Sequence, residues 1–271
     1  MHVVVLGAGV IGVTTAYYLS QHGHRVTIVD KADEIAAGAS AGNGGQLSYS
    51  FTDALASPAL LLKMPRLMLG LDTAFHLRPP LDRQLIGWGL SFLRECMPGR
   101  QVENTVAVTE LALRSANLMA EIREQVPFDF SFRRAGKLVM LSDQSAMRDA
   151  EKMCALKRNL GCVVEVVSIE RATEIEPAVE KLSGAYAGAV FSIEDEIGNS
   201  KEFAKNLGKW LADNQDVELR LGTRVERIVT GDDGVKRVDT SHGAIETEAV
   251  VVCMGAWSGH VLRPLGIDPA I

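Results

Sequence analysis

The sequence has few of the features that metal, disulfide or nucleic-acid chemistry requires. Its cysteines are scattered with no CxxC pair, and its six histidines form no HxxxH pair. We therefore expect reduced, mostly buried thiols and propose no metal site. The net charge is −6 and no cluster of basic residues occurs, which argues against nucleic acid as a partner. The cysteines are Cys96, Cys154, Cys162 and Cys253.

Long apolar runs are also lacking, since no segment reaches the roughly eighteen uninterrupted apolar residues of a membrane span. The nearest segment, 54–71, is interrupted by two prolines and two basic residues. It either packs as a lid or lies on a membrane surface, and packing is favoured. The first strand-like run begins at residue 2, so we expect no signal peptide. These features predict a cytoplasmic protein, with peripheral contact to the inner membrane as the alternative.

The most informative pattern lies in the first thirty residues. A strand-like run, His2–Leu6, leads into Gly-Ala-Gly-Val-Ile-Gly over residues 7–12. A helical pattern follows over 13–21, and a second apolar run, 26–29, ends at Asp30. Strand, glycine turn, helix, strand and acid together form a complete βαβ dinucleotide-binding fingerprint.

Each residue type in this fingerprint has a physical reason. Gly7 allows the tight turn, Gly9 lets the backbone approach a pyrophosphate, and Gly12 lets the helix pack close to the strand. The helix N-terminus directs N–H groups and its positive dipole end towards the phosphates. Asp30 is placed to accept hydrogen bonds from a ribose hydroxyl. The alternative is a glycine-rich turn that binds no ligand.

A second glycine-rich segment, 36–50, consists of small residues and carries no charge. A surface linker normally carries charges, so this composition suits a backbone that lies directly against a ligand. The alternative is a flexible turn.

The rest of the chain alternates between helical and strand patterns, which predicts an α/β protein. Helices are predicted over 82–96, 104–125, 145–160, 168–175 and 198–212. Strands are predicted over 137–141, 163–167, 185–191, 217–221 and 249–253, with a hairpin of 225–230 and 235–239. Residues 128–132 show a strand-like alternation.

Four separated segments carry a resemblance to a known family. They are 5–12 with its acid Asp30, the loop 38–46, the segment 222–225, and 250–258 with its Gly-Ala-Trp-Ser ending. In this order they resemble the FAD-dependent amine oxidoreductases of the D-amino acid oxidase (DAO) superfamily, and within it the bacterial D-amino acid dehydrogenases. The acidic-glycine turn 194–199 is similar as well, so the resemblance covers the whole chain.

The resemblance implies a bound FAD. Because FAD is roughly twice as long as one mononucleotide, one βαβ unit cannot hold it, and the loop 38–47 is the candidate for the flavin half. Val225 is expected to offer adenine its backbone groups, or else to be ordinary core strand. Gly255 is expected to let the main chain approach the cofactor, or else to be a simple strand turn. The predicted cofactor-binding residues are Gly7, Gly9, Val10, Ile11, Gly12, Asp30, Lys31, Ser40, Asn43, Gly44, Gly45, Gln46, Leu47, Val225 and Gly255.

The implied architecture is a Rossmann-like FAD-binding domain of the GR2/DAO type with an inserted α+β substrate domain. The FAD-binding domain is expected to be discontinuous, over 1–50 and 190–271, and the substrate domain to cover 51–189. Members of this family are longer, and their C-terminal segment supplies an arginine that pairs with the substrate carboxylate. We therefore expect that the C-terminal part is missing here, or that a second subunit supplies it.

By resemblance, the activity is oxidative deamination of D-amino acids to 2-oxo acids and ammonia, with electrons passed to a quinone or another carrier. The cofactor carries this chemistry, and the sequence contains no recognisable acid/base dyad or triad, so no catalytic residue is assigned. Gln46, Ser48 and Tyr49 are candidates to shape the substrate pocket, although a structural role is favoured for each. The alternatives are oxidation of another amine (glycine, sarcosine, opine or hydroxyproline) and a truncated, non-catalytic FAD-binding subunit.

Overall fold

The structure is a computed structural model that describes residues 1–68, 83–182 and 184–269. Its strands, numbered in chain order, are β1 His2–Leu6, β2 Arg25–Val29, β3 Gln46–Leu47, β4 Lys137–Leu141, β5 Val164–Ser168, β6 Gly188–Ser192, β7 Glu196–Ile197, β8 Val217–Arg220, β9 Val225–Gly231, β10 Gly234–Thr240, β11 Gly243–Glu246 and β12 Ala249–Val252.

The helices are α1 Val10–Gln21, α2 Pro58–Met68, α3 Arg83–Glu95, α4 Pro98–Gln125, α5 Gln144–Asn159, α6 Ile169–Ile175, α7 Ser200–Asn214 and α8 Ser258–Leu262. Short 3-10 turns occur at Pro177–Leu182, Gly255–Trp257 and Arg263–Leu265. Asp82 and residues 69–71, which belong to two predicted segments, lie outside the described residues. Within the described ranges, no helix is long and apolar enough to cross a membrane.

The chain forms two compact units. Unit 1 contains Met1–Gln46, Glu121–Arg133 and Ile197–Ile271, and unit 2 contains Leu47–Ala120 and Arg134–Glu196. The chain therefore passes between the units four times, and α4 contributes to both. The assignment of a FAD-binding domain and a substrate domain stays a prediction.

Unit 1 is built on a parallel sheet in the order β12–β1–β2–β8. In the central strand β1, Val4 pairs with Thr27 of β2 and with Val250 of β12. A central parallel strand is covered on both faces, and residues 3–6 are accordingly all apolar and almost completely buried. Because all four strands run the same way, their carboxyl ends meet at one edge of the sheet.

The two faces of this sheet are covered differently. Helix α1 packs against β1, β2 and α7. Val4 and Leu6 instead join a cluster with Val238 of the antiparallel sheet β11–β10–β9 and with Val261 of α8. The parallel sheet thus lies between helices and a small antiparallel sheet, which confirms the predicted α/β class for this unit.

Unit 2 contains the antiparallel sheet β4–β6–β5 and most of the long helices. The side chain of Asp143 caps α5 by accepting the N–H groups of Ser145 and Ala146 at 2.8 and 2.9 Å. Cys154 of α5 packs on Val164 and Val190 of the sheet to form a small core.

The largest departures from the predicted helix boundaries are two helix starts, and both have local reasons. Helix α1 begins at Val10 instead of 13, because Gly9 in an extended conformation serves as its N-cap. Helix α4 begins at Pro98, since proline is tolerated in a first helical turn. Residues 128–132 form no strand, because the rings of Phe128 and Phe130 lie 5.7 and 5.2 Å from the ring of Phe203 in α7. Their alternation reflects this aromatic packing.

Candidate functional site

The glycine turn between β1 and α1 is closed by backbone contacts. Gly7 has a φ of +108°, and a Cβ there would lie 2.4 Å from the carbonyl oxygen of Cys253. A Cβ on Gly12 would lie 1.8 Å from the carbonyl oxygen of Gly7. Neither position tolerates a side chain, so these two glycines are needed to form the turn itself. The segment after β12 is thereby placed directly against the glycine turn.

The first turn of α1 faces the small-residue loop. Gly9 caps the helix with no side-chain hydrogen bond, and a Cβ on it would meet only Ser40 Oγ, at 3.3 Å. The N–H of Val10 donates to the same Ser40 Oγ at 3.0 Å. The side chain of Ile11 is 64% exposed. At the N-terminus of α1, the positive end of the helix dipole therefore lies next to backbone that a ligand can approach.

The carboxylate of Asp30 lies on the glycine turn, as the fingerprint requires. Its Oδ2 accepts the N–H of Ala8 at 2.7 Å, and its Oδ1 accepts the N–H of Ala32 at 2.9 Å. Ala8 is fully buried, so Asp30 also satisfies a backbone donor that has no access to water. A carboxylate has about four acceptor positions, so two amide donors leave acceptor capacity for a ribose hydroxyl.

The backbone of Asp30 brings a further segment to the same edge of the sheet. Its carbonyl oxygen accepts the N–H of Thr223 at 2.8 Å, two residues before Val225. Val225 begins β9, pairs with Thr240 and is half-buried against the core shared with the parallel sheet. Its side chain thus has the packing role that was the alternative, and a backbone contact to adenine stays a prediction.

Lys31, Trp257 and Gly255 form an exposed group beside Asp30. The Nζ atom of Lys31 lies 4.3 Å from the ring centroid of Trp257, and that ring stacks on His260 at 5.4 Å. Gly255 has a φ of +56° and no heavy atom within 4 Å of an added Cβ. The backbone conformation, and not crowding, therefore favours glycine here, and the surrounding space is open.

The loop after Asp30 is held in place at its start. The N–H of Ala36 donates to the carbonyl oxygen of Ala8 at 3.0 Å, and Ile35 is buried beside Gly208 of α7. Glu34 accepts from the ammonium groups of Lys205 and Lys201, also on α7, at 2.6 and 2.9 Å. These two lysines lower the pKa of Glu34 to about 2.

The later part of this loop is more exposed. The Oδ1 atom of Asn43 accepts the N–H of Gly45 at 2.7 Å, an Asx turn across Gly44. Gly45 has a φ of +72°, and its carbonyl oxygen accepts the N–H of Gly198 at 2.8 Å. The side chain of Gln46 is exposed.

The structure thus brings most of the predicted site residues together at the carboxyl edge of the parallel sheet. This set comprises Gly7, Gly9, Val10, Ile11, Gly12, Asp30, Lys31, Ser40 and Gly255. The group Asn43–Gln46 is tied to Gly198 instead, and Leu47 already belongs to unit 2. Sequence reasoning missed the role of Ala8, whose buried N–H only the fold reveals as a donor to Asp30. It also missed Glu34, whose lysine partners lie far along the chain. Among the described residues, no group of His, Cys, Asp and Glu side chains is arranged to hold a metal ion.

Comparisons of sequence agree with this geometry. A family model described as DAO, FAD dependent oxidoreductase, matches residues 2–271. The chain is 35% identical over 272 residues to D-amino acid dehydrogenase 2 of Ralstonia nicotianae, and this match covers 100% of the chain and 64% of the relative. The chain therefore spans slightly less than two thirds of the length of this curated relative.

Solved structures show the same fold. The L-proline dehydrogenase of P. horikoshii matches with a TM-score of 0.72 and 20% identity, over 98% of this chain and 56% of the other. The glycine oxidase of Geobacillus kaustophilus matches with a TM-score of 0.70 and 23% identity, over 98% and 58%. At these identities the likeness establishes the fold alone.

Proposed function

Because the chain belongs to the DAO family of FAD-dependent oxidoreductases, we propose that the carboxyl edge of its parallel sheet binds FAD. The observation that carries this proposal is the contact between the Asp30 carboxylate and the Ala8 N–H in the glycine turn. That contact sets an acidic acceptor beside an open helix N-terminus, the arrangement that binds the ribose and diphosphate of a dinucleotide.

The residues present suit this cofactor. The N–H groups at the start of α1 would face the diphosphate, and the lack of a side chain on Gly9 leaves only Ser40 Oγ close to that position. Asp30 would hold a ribose hydroxyl, and the backbone of Val225 would meet the adenine. The loop 38–47 would hold the flavin, because its small uncharged residues let the main chain come close to a ring.

The reaction proposed is oxidative deamination of a D-amino acid to a 2-oxo acid and ammonia, with a quinone or another carrier as the electron acceptor. FAD, when bound, supplies the hydride acceptor for oxidation of the amine carbon. The protein binds and orients the reactants, and solvent can take the proton that the substrate ammonium group loses. No side chain of this chain is assigned a catalytic role.

Two observations bear on the choice of substrate. The curated relative at 35% identity is a D-amino acid dehydrogenase, which favours a D-amino acid. One structural neighbour is a glycine oxidase and another an L-proline dehydrogenase, so another amine on the same fold is the alternative. The fold alone does not separate these substrates.

The first experiment measures FAD binding. The purified chain is stripped of flavin, titrated with FAD, and compared with Gly9→Ala, whose added methyl group lies where the diphosphate would approach. Gly99→Ala is the matched control, because Gly99 lies in the first turn of α4 with no atom within 4 Å of an added Cβ. We expect tight binding by the wild type and the control, and weaker binding by Gly9→Ala. A wild-type chain that binds no FAD contradicts the proposal.

The second experiment tests the reaction. D-Amino acids, L-amino acids, glycine and sarcosine are each added to the FAD-loaded protein with a dye acceptor, and bleaching of the flavin absorbance is followed. We expect bleaching with D-amino acids and production of ammonia. If only another amine bleaches the flavin, that amine replaces D-amino acids as the proposed substrate, and the proposed reaction class is unchanged.

A non-catalytic FAD-binding subunit is the second candidate function. A loaded protein whose flavin absorbance bleaches with none of the amines would support this candidate over the enzyme.

A further inference from the structure

A buried carboxylate in unit 2 grips the chain just after the glycine-rich loop. Asp195 is 1% exposed, and its Oδ1 accepts the N–H of Tyr49 at 2.9 Å and the N–H of Ser50 at 2.8 Å. Burial raises the pKa of Asp195, while these two amides and the charge of Lys137 oppose that rise. The residues Ser48–Ser50, called the anchored segment below, begin directly after Leu47.

Other side chains of unit 2 hold the same segment. The ammonium group of Lys137 donates to Ser48 Oγ at 2.9 Å and lies 4.7 Å from the ring centroid of Phe51. The hydroxyl of Tyr49 donates to Glu196 Oε2 at 3.2 Å. Both Tyr49 and Ser50 are buried. The anchored segment is therefore contacted from β4, from β7 and from the turn that leads into β7.

Asp195 is itself fixed through its main chain. Its carbonyl oxygen accepts the N–H of Gly136 at 2.9 Å, immediately before β4. Gly136 has a φ of +67°, and a Cβ on it would lie 2.7 Å from the ring of Phe191, so this approach requires glycine. A side chain anchored in this way transmits its position to whatever it binds.

A buried carboxylate is costly unless hydrogen bonds satisfy it. Asp195 is satisfied at one oxygen only, since its Oδ1 accepts two consecutive backbone amides while its buried Oδ2 has no hydrogen-bond partner among the described residues. Two bonds from consecutive amides to one fixed oxygen restrict the backbone of Tyr49 and Ser50. No ion pair would restrict the main chain in this way. The described contacts of Asp195 thus serve to set a chain path more than to add net stability.

We propose that Asp195 is a positioning residue that fixes the anchored segment and, through it, the end of the loop 38–47 that receives the flavin. Only the effect on FAD binding rests on the proposed function. The hydrogen bonds from Tyr49 and Ser50 to Asp195 form within unit 2 and need no cofactor. The effect on FAD follows because the anchored segment continues the flavin loop without a break in the chain.

The test compares Asp195→Ala and Asp195→Asn with two controls. Glu194→Ala removes the neighbouring carboxylate, which is exposed. Val179→Ala creates a small cavity in a separate cluster of unit 2, with Val167, Ala172 and Ala189, and so lowers stability without touching the anchored segment. Asparagine keeps a carbonyl oxygen that can accept an amide N–H, so it serves as the conservative variant.

Two measurements are made on each protein. Hydrogen–deuterium exchange of the Tyr49 and Ser50 amides measures how well their hydrogen bonds to Asp195 protect them in the FAD-free chain. The dissociation constant of FAD and the visible absorption bands of the bound flavin read the positioning of the loop. We expect Asp195→Ala to raise both amide exchange rates by about tenfold or more, the loss expected for a hydrogen bond to a charged acceptor. We also expect a weaker FAD complex with shifted absorption bands, partial recovery in Asp195→Asn, and wild-type values for Glu194→Ala.

The outcomes separate this inference from the proposed function. Unchanged exchange at Tyr49 and Ser50 in Asp195→Ala overturns the inference, whatever FAD does. Faster exchange with unchanged FAD affinity and flavin bands overturns it as well, because the grip then positions nothing. The same flavin band shift in Val179→Ala also overturns it, since general destabilisation would then be the cause. A wild-type chain that binds no FAD refutes the proposed function, while the exchange data still decide whether Asp195 holds the segment.

Discussion

Replacement of Asp30 by asparagine separates two roles of this side chain. The carboxylate accepts the N–H groups of Ala8 and Ala32 with different oxygens, at 2.7 and 2.9 Å. An amide side chain offers one oxygen, so in Asp30→Asn one of these donors faces an NH2 group instead of an acceptor. A hydrogen bond to a charged group contributes about 1.5–3 kcal/mol. We expect the free energy of unfolding of the FAD-free protein to fall by about this amount.

Urea unfolding followed by tryptophan fluorescence is a suitable assay. Two of the three tryptophans, Trp210 and Trp257, lie in the same compact unit as Asp30. Saturation with FAD at about 100 times its dissociation constant adds about 2.7 kcal/mol to a protein that binds it. In Asp30→Asn, the gain in unfolding free energy from FAD should be smaller than in the wild type, because the ribose contact is weakened too. This difference comes in addition to the stability that the variant loses without FAD.

Asp33→Asn is the matched control, since Asp33 is an exposed carboxylate in the same loop. We expect it to unfold as the wild type does with and without FAD. If Asp30→Asn has the wild-type free energy of unfolding without FAD, the hydrogen-bond reasoning is refuted. If it also binds FAD as the wild type does, the ribose assignment is refuted with it.

Three further predictions follow from other contacts of the same unit. Gly12→Ala should lower stability by about 1–3 kcal/mol in urea unfolding and abolish FAD retention, because its Cβ would lie 1.8 Å from a backbone carbonyl oxygen. Ser40→Ala should speed hydrogen exchange at the Val10 amide, which loses its 3.0 Å acceptor. The two lysines that lower the pKa of Glu34 to about 2 stabilise the fold above its ordinary pKa of 4.5. That contribution should be lost as pH falls from 4.5 towards 2, and Glu34→Gln should flatten this part of the curve of urea midpoint against pH.

Each of these predictions has a contrary result. Gly87→Ala is the control for Gly12, because this helical glycine has no atom within 4 Å of an added Cβ. Equal behaviour of these two variants would contradict the steric argument. Unchanged exchange at Val10 would contradict the loop contact of Ser40. A Glu34→Gln protein with the full acid dependence of the wild type would place that dependence in other groups.

The sequence predicted the glycine turn well because its requirements are local. Gly7 and Gly12 fit so tightly that the strand, turn and helix can follow each other in only one way. The neighbouring acid at the end of β2 is equally local, since β1 and β2 pair directly. The comparisons confirm the family, that of the DAO FAD-dependent oxidoreductases, and the fold class.

Contacts between distant parts of the chain could not be predicted from the sequence. Tyr49 and Asp195 are far apart in sequence, and no local pattern marks either as the partner of the other. The alternation of Phe128 and Phe130 mimics a strand, although it results from packing on Phe203. The predicted contacts of Lys31, Val225 and the flavin loop with a cofactor stay predictions.

The order of the parallel sheet has a consequence for biosynthesis. Val4 of β1 pairs with Thr27 on one side and with Val250 on the other. At about 5–20 residues per second, a ribosome needs about 12–50 seconds to make the intervening chain. Throughout this interval one hydrogen-bonding edge of β1, which is apolar over residues 3–6, has no native partner, while all of unit 2 is being made. Nascent chains of this protein are therefore candidates for chaperone capture, and slowing translation between residues 30 and 249 should lengthen the period in which they can aggregate.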